Sequence, residues 1–259
     1  MDLGLAGKSA IICASSRGLG KSCAASMVRE GVNVVINGRD VEALAQAKDE
    51  LDAIGGGTVT AVAGDVENEA DRDRLFEACP SPDILVNNNG GPPPGLFLTW
   101  GEDEWNGALQ SNLLAPLMMI KAALPGMQER KFGRIVNITS AMVKSPHPFM
   151  GLSTTARTGL TAMCKALSLD VAKDNVTINN MLPERFDTNR QKQMAQLAAA
   201  MKQTTVEEER AAIIEAIPAK RMGDPDEFGE ACAFLCSAQA GFITGQNLQL
   251  DGGAYSGLM

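Results

Sequence analysis

From Cys13 to Gly20 the chain reads Cys-Ala-Ser-Ser-Arg-Gly-Leu-Gly, set between an apolar run and a helical pattern. That order suits a phosphate cradle. A tight turn brings the backbone close to a pyrophosphate, and the first N–H groups of the helix face the anion. Gly18 and Gly20 permit the close approach, with Ala14, Ser16, Arg17 and Leu19 completing the loop. A turn that merely needs glycines is the competing account, and the placement between strand and helix favours the cradle.

The end of the next apolar run bears on which dinucleotide fits. An acid there would bind a ribose 2′-hydroxyl, whereas an arginine suits a 2′-phosphate. Here Asn37-Gly38-Arg39 carries no acid before Asp40. Arg39 and Arg17 together predict a cationic clamp, and hence NADP(H). Other chemistry has little support. The single histidine, His147, argues against a His-based metal site. Cys232 and Cys236 stand one helical turn apart without a second ligand pair, so the six cysteines are read as buried thiols in a reducing cytosol.

Those loops must be held by regular elements, and the periodicity supplies them. Strand-like runs at Ser9–Cys13, Val32–Ile36, Thr58–Ala63, Ile84–Val86, Arg134–Ile138, Val176–Met181 and Asn247–Leu250 alternate with helical patterns. The helices fall at Leu19–Arg29, Val41–Ile54, Glu69–Ala78, Glu102–Glu129, Thr155–Ala172, Gln191–Ile217 and Asp226–Ser237. Continuous apolar strands imply a parallel sheet covered on both faces. The expectation is an α/β chain with one doubly wound domain over 1–259, a Rossmann fold of about seven strands. Apolar residues make up 45% and charged residues 21%, an ordinary soluble balance. A formal charge of −8 argues against a sequence-independent grip on nucleic acid. Met1-Asp2-Leu3-Gly4-Leu5 has neither a cationic region nor a long apolar run, and no later stretch matches a membrane span, so a cytoplasmic protein is expected.

With these residues in view, the chain resembles the short-chain dehydrogenase/reductase family, nearest its 3-oxoacyl-carrier-protein-reductase-like members. The family's Thr-Gly-x-x-x-Gly-x-Gly loop appears with its Thr and first Gly replaced by Cys13 and Ala14. Asp65-Val66 matches the pair that holds adenine, and Asn87-Asn88-Asn89-Gly90 matches Asn-Asn-Ala-Gly. Asn112 falls on the helix Asn that organises a water relay, and Ser140 on the active-site Ser. Pro183 and Thr188 match the Pro-Gly motif and the nicotinamide-binding Thr, with Glu184 replacing the Gly. Ile243-Thr244-Gly245-Gln246 and Asp251-Gly252-Gly253 match the C-terminal signature. The resemblance implies a cofactor site that includes Asn88, Asn89, Gly90, Pro183 and Thr188. It also implies a small-molecule carbonyl or alcohol substrate and a homotetramer or homodimer with the helices around Asn112 and Arg157 at the interface.

One departure concerns the chemistry. Counting thirteen residues from Ser140, the family's catalytic Tyr falls on Ser153, and its Lys one turn later on Arg157. Arg157-Thr158-Gly159-Leu160 pins the register, and the only tyrosine is Tyr255. Ser153 is shorter and less acidic than a phenol; Arg157 can hold ribose hydroxyls but cannot pass a proton on. Losing a positioned acid–base costs about 10²–10⁴ in rate. Three replacements stay open: His147, Glu184, and a water held by Ser153, Ser140 and Asn112.

Around the substrate, Gly91-Pro92-Pro93-Pro94-Gly95 predicts a rigid loop, and Met142, Val143, Phe149 and Met150 an apolar wall. Arg157 and Arg185 are candidates for an anionic group, and 189–217 for a substrate-covering helical segment. Three functions fit: an NADP(H)-dependent oxidoreductase with Ser140 polarising the oxygen, a cofactor-binding protein without useful turnover, and a lyase or dehydratase reusing the pocket.

Overall fold

The computed structural model describes residues 2–258. Strands β1 (Ser9–Ile12), β2 (Asn33–Gly38), β3 (Val59–Ala63), β4 (Ile84–Asn87), β5 (Gly133–Ile138), β6 (Val176–Pro183) and β7 (Asn247–Leu250) form one sheet. The helices are α1 (Gly18–Arg29), α2 (Val41–Asp52), α3 (Glu69–Ala78), α4 (Glu102–Leu109), α5 (Ala115–Glu129), α6 (Gly151–Val171), α7 (Asn189–Lys202), α8 (Val206–Ala216) and α9 (Pro225–Cys236). The strand order is β3-β2-β1-β4-β5-β6-β7, and every pairing is parallel. The order reverses between β1 and β4, which opens a crevice at the carboxyl ends of those strands.

Two apolar layers cover the sheet. One unites β-strand residues such as Ile12, Ile36 and Val86 with Cys23, Met27, Phe228 and Cys232 of α1 and α9. The other joins Ile11, Leu85 and Ile135 to Met119, Ile120, Leu160 and Cys164 of α5 and α6. Helix α1 is rich in small buried residues, so α9 approaches its backbone closely. A Cβ at Gly229 would lie 2.3 Å from the Ser22 carbonyl oxygen. The Ser22 hydroxyl also donates to Pro225 O at 2.6 Å. Helix α9 thereby fixes α1, whose first turn carries the glycine loop.

The site end of the sheet is tied by buried amides. Asn87, Asn137, Asn180 and Asn247 occupy the same level of β4, β5, β6 and β7. Each Nδ2 donates to the next Oδ1, at 2.9, 3.0 and 2.9 Å. Buried polar groups persist in a core when their partners are complete, and this ladder meets that condition along its length.

The expected helical stretch over Glu102–Glu129 runs unbroken, with a π-turn at Gln110–Leu114 inside it. There Asn89 Nδ2 donates to the Ser111 carbonyl and Asn112 Nδ2 to the Gly90 carbonyl, so the loop after β4 competes with the helical ladder. One helical prediction needs correction: the pattern over Gln191–Ile217 is two helices. Gln203 adopts φ 58°, closing α7, and Thr205 with Glu208 forms a capping box that starts α8. Among the described residues no helix is long and apolar enough to cross a membrane.

Candidate active site

The loop after β1 is bent sharply and held on several sides. Ala14 sits at φ 44°, a left-handed conformation that costs a residue with a side chain on the order of 1–2 kcal/mol. Its N–H faces Asn37 Oδ1 at 3.4 Å, and its carbonyl accepts from Asn88 Nδ2 at 3.1 Å. The buried Ser15 hydroxyl donates to Ile12 O and accepts from Asn37 N–H. Gly20 has no room for a side chain: a Cβ would lie 2.5 Å from Ala14 O and 2.8 Å from Asn88 Nδ2. Gly38 is equally constrained, 2.9 Å from the Ser16 hydroxyl. Helix α1 begins with neither a side-chain cap nor an acid in its first turn, leaving its N–H groups facing out. A pyrophosphate fits such a cradle.

Beside it stand the two expected arginines, both largely exposed. Arg17 pairs with Asp40 at 2.6 Å and Arg39 with Asp65 at 3.4 Å. The Ala43 N–H, and after it Arg17, holds the Asp40 carboxyl below its ordinary range. Exposed pairs of this kind contribute about 0–1 kcal/mol, so a phosphate can displace the acids. Asp65 Oδ1 accepts from Glu67 N–H, while the Val66 side chain is in the core with Val35 and Leu75. Thr188 caps α7, and a Cβ on Gly18 would meet its methyl at 4.0 Å. The phosphate loop and the start of the covering helices therefore touch. Gly38, the Ser15 hydroxyl and Asn37 are positions the sequence reading missed; a glycine ending a strand is the usual sign of close approach.

Ser140, Ser153, Arg157 and Asn112 gather at the carboxyl ends of β4 and β5. Ser140 Oγ accepts the Met142 N–H at 3.2 Å, so its own hydrogen is available to donate. Ser153, 3% exposed, accepts Arg157 Nε at 3.2 Å in the same way. Arg157 is a clasp. Its Nη1 donates to Ile138 O at 2.7 Å and Thr139 O at 3.0 Å, and its Nη2 to Asn89 O at 3.3 Å. Of five N–H groups one remains, narrowing the expected grip on a ribose. Burial, and then the charge of Arg190, pushes Arg157 down to about 10. Arg190 itself donates to Pro92 O at 3.3 Å, joining α7 to the proline loop.

Asn112 lies in the π-turn and is 2% exposed. Its Nδ2 donates to Gly90 O at 3.3 Å, but among the described residues its buried Oδ1 has no partner. Next along the chain, a Cβ at Gly91 would be 3.7 Å from Arg157 Nη2 and 4.0 Å from Ser153 Oγ. Asn112, Gly90–Gly91, Ser153 and Arg157 thus form one contiguous wall.

The other proton-donor candidates sit elsewhere. His147 is exposed; its Nδ1 accepts the Phe149 N–H, and its ring stacks on Phe149. Glu184 pairs with Arg185 at 3.5 Å and lines two cavities whose walls include neither Ser140 nor Ser153. Burial pushes the Cys13 and Cys164 thiols up to about 12, which leaves them inert.

A family model described as "Enoyl-(Acyl carrier protein) reductase" matches residues 13–255. The 3-oxoacyl-[acyl-carrier-protein] reductase FabG of Vibrio harveyi is 32% identical over 254 residues, covering 98% of this chain and 99% of that protein. L-sorbose reductase from Gluconobacter frateurii, solved with NADPH and L-sorbose, superimposes with a TM-score of 0.93 at 27% identity over 100% of both chains. A 3-oxoacyl (acyl-carrier-protein) reductase from Agrobacterium tumefaciens C58 with NADP bound gives 0.87 at 28% identity, covering 97% of this chain and 96% of the other.

Proposed function

Because this chain belongs to the short-chain dehydrogenase/reductase family, we propose that it is an NADP(H)-dependent oxidoreductase of a small carbonyl or alcohol, with a held water in place of the family's tyrosine. The observation that carries the reading is the buried Asn112 Oδ1, which has no hydrogen-bond partner among the described residues, while Asn112 Nδ2 holds Gly90 and the next residue, Gly91, abuts Ser153 and Arg157. An acceptor with nothing to accept is the kind of group that a structural water satisfies.

The residues that would hold the cofactor fit it on geometric grounds. The N–H groups of Gly18, Leu19 and Gly20 would hold the pyrophosphate, and Arg17 and Arg39 the 2′-phosphate. Asp65 and the Val66 backbone would hold the adenine, and Asn88, Asn89, Gly90, Pro183 and Thr188 the nicotinamide riboside. Arg157 offers the ribose its one remaining N–H. When bound, the reduced nicotinamide supplies a hydride to the substrate carbon. Ser140 and Ser153 each accept a backbone or guanidinium N–H, which leaves both hydroxyl hydrogens free to donate. As charge develops on the carbonyl oxygen, Ser140 would stabilise it, and a water held by Ser153, Ser140 and Asn112 would deliver the proton and regain one from solvent. Arg157 holds the Thr139 carbonyl, and so fixes the backbone leading into Ser140.

Binding without turnover is the second reading. It draws on Arg157 being occupied by main-chain carbonyls where a proton-passing lysine would stand. A lyase using Ser140, Arg157 and Glu184 together gains no support, since Glu184 faces other cavities. We read the protein as cytoplasmic, its six cysteines all unbonded, and as a homodimer or homotetramer. Exposed Leu114, Met118, Met163 and Leu169 beside and on α5 and α6 support the assembly, which light scattering tests. The function is tested by saturating the protein with NADPH and screening ketones, aldehydes and quinones. Oxidation of NADPH with matching alcohol formation is expected. Tight NADPH binding with no oxidation across the panel would leave only the second reading.

A further inference from the structure

Where the family's Asn-Asn-Ala-Gly motif has its alanine, this chain has Asn89, and the extra amide is used inside the protein. One Nδ2 hydrogen goes to Glu67 Oε1 at 3.3 Å and the other to the Ser111 carbonyl at 3.2 Å. Its Oδ1 accepts the Gly90 N–H at 2.9 Å. No donor of this side chain is left over for a ligand. The main-chain carbonyl of the same residue accepts Arg157 Nη2, so Asn89 also braces the substituted position 157.

These bonds form a chain that ends in the reaction site. Glu67 holds Asn89, Asn89 holds the Gly90 N–H, and the Gly90 carbonyl takes Asn112 Nδ2 at 3.3 Å. Asn112 Nδ2 also donates to Ser111 Oγ at 2.7 Å, and Ser111 is the residue whose carbonyl Asn89 holds. An amide is planar, so fixing both of its hydrogens fixes the direction of its oxygen. That oxygen, Asn112 Oδ1, is the buried acceptor without a partner among the described residues.

Glu67 is itself anchored. Its N–H donates to Asp65 Oδ1 at 3.1 Å, and its carbonyl accepts Arg72 Nη1 at 2.9 Å and Gln110 Nε2 at 3.2 Å. Gln110 begins the π-turn that carries Asn112. Glu67 therefore reaches the loop after β4 through its carboxylate and the π-turn through its carbonyl. A π-turn departs from the regular helical ladder, so bonds from outside it decide how its side chains are aimed.

We propose that Glu67 and Asn89 are positioning residues that aim Asn112 Oδ1, and with it the water it holds, at the reacting carbonyl. Their side chains do not reach the reacting atoms and act through Asn112. The inference rests on the held-water reading for the use made of Asn112, and on the bond chain alone for its aim.

The test compares Asn89→Ala, Glu67→Ala, Glu67→Gln, Asn112→Ala and the double variant Asn89→Ala with Asn112→Ala. Alanine at 89 restores the family's residue, so the backbone accepts it. At saturating NADPH and carbonyl substrate, Asn89→Ala and Glu67→Ala should each lower kcat about tenfold, with KM for the carbonyl substrate changed less than about threefold. Glu67→Gln keeps an acceptor in place and should restore most of the rate. Adding Asn89→Ala to Asn112→Ala should cost less than about twofold more, because the aim of an absent amide no longer matters. Losses that multiply in the double variant, or an undiminished kcat in Asn89→Ala, overturn the proposal. Crystal structures of the protein and of Asn89→Ala with NADP⁺ read the aim without turnover. Asn112 should leave its rotamer in the variant, and an amide that keeps its place overturns the proposal whatever the rates. An undiminished rate in Asn112→Ala, or no NADPH oxidation at all, sinks the held-water reading, while a turned Asn112 in Asn89→Ala would still establish the positioning.

Discussion

At the residue scale the centre of the site is Arg157, and its role is structural as much as chemical. Its side chain satisfies three main-chain carbonyls from β5 and the loop after β4. Arg157→Ala leaves these acceptors buried and unpaired, at about 1–3 kcal/mol each. Thermal denaturation should show a loss of at least 3 kcal/mol, and Ser153→Ala a loss below about 1 kcal/mol. If the two variants melt alike, the clasp is not what holds the loop. The 2′-phosphate clamp has its own readout: Arg39→Ala should weaken NADPH at least tenfold while changing NADH little, measured by fluorescence titration. The substitution at positions 153 and 157 was legible because Tyr255 is the chain's one tyrosine. What Arg157 touches was not, since the end of β5 and the loop after β4 reach its guanidinium only in the fold.

At the element scale, the sheet's site end depends on the asparagine ladder and the phosphate loop on α9. Asn137→Ala strands the Asn87 donor and the Asn180 acceptor, at about 2–4 kcal/mol in chemical denaturation. Unchanged stability would show that the ladder is incidental. Helix α9 starts from a capping box of Asp224 and Glu227. The Arg221 guanidinium, and after it the Asp224 N–H, holds the Glu227 carboxyl down at about 2. A depressed acid stabilises the fold above its ordinary value near 4.5, and that contribution is lost as pH falls through about 2. The melting difference between the protein and Glu227→Gln should be constant above pH 5 and shrink toward pH 2. The box was readable as Asp-x-x-Glu, and so was Thr205-x-x-Glu208, the signal that α8 starts afresh after Gln203. Period alone ran the two helices together. The π-turn had no such mark, because its cause is the loop carrying Asn89 and Gly90, about twenty residues earlier in sequence.

For the whole molecule, alternating strands and helices gave the doubly wound sheet and located the crevice, because a parallel sheet buried on both faces writes itself into continuous apolar runs. Which proton donor serves the site was not legible, since it depends on where His147 and Glu184 end up. His147 caps a surface turn, and Glu184 faces the neighbouring cavities. The account therefore requires that no side chain titrating near neutrality controls the reaction. The direct test is the rate of NADPH oxidation at saturating carbonyl substrate, followed from about pH 6 to pH 9. A profile without inflection, with the rate falling at least tenfold in Asn112→Ala, is the expected result. An inflection that disappears in His147→Ala or Glu184→Gln, or an undiminished rate in Asn112→Ala, would contradict it.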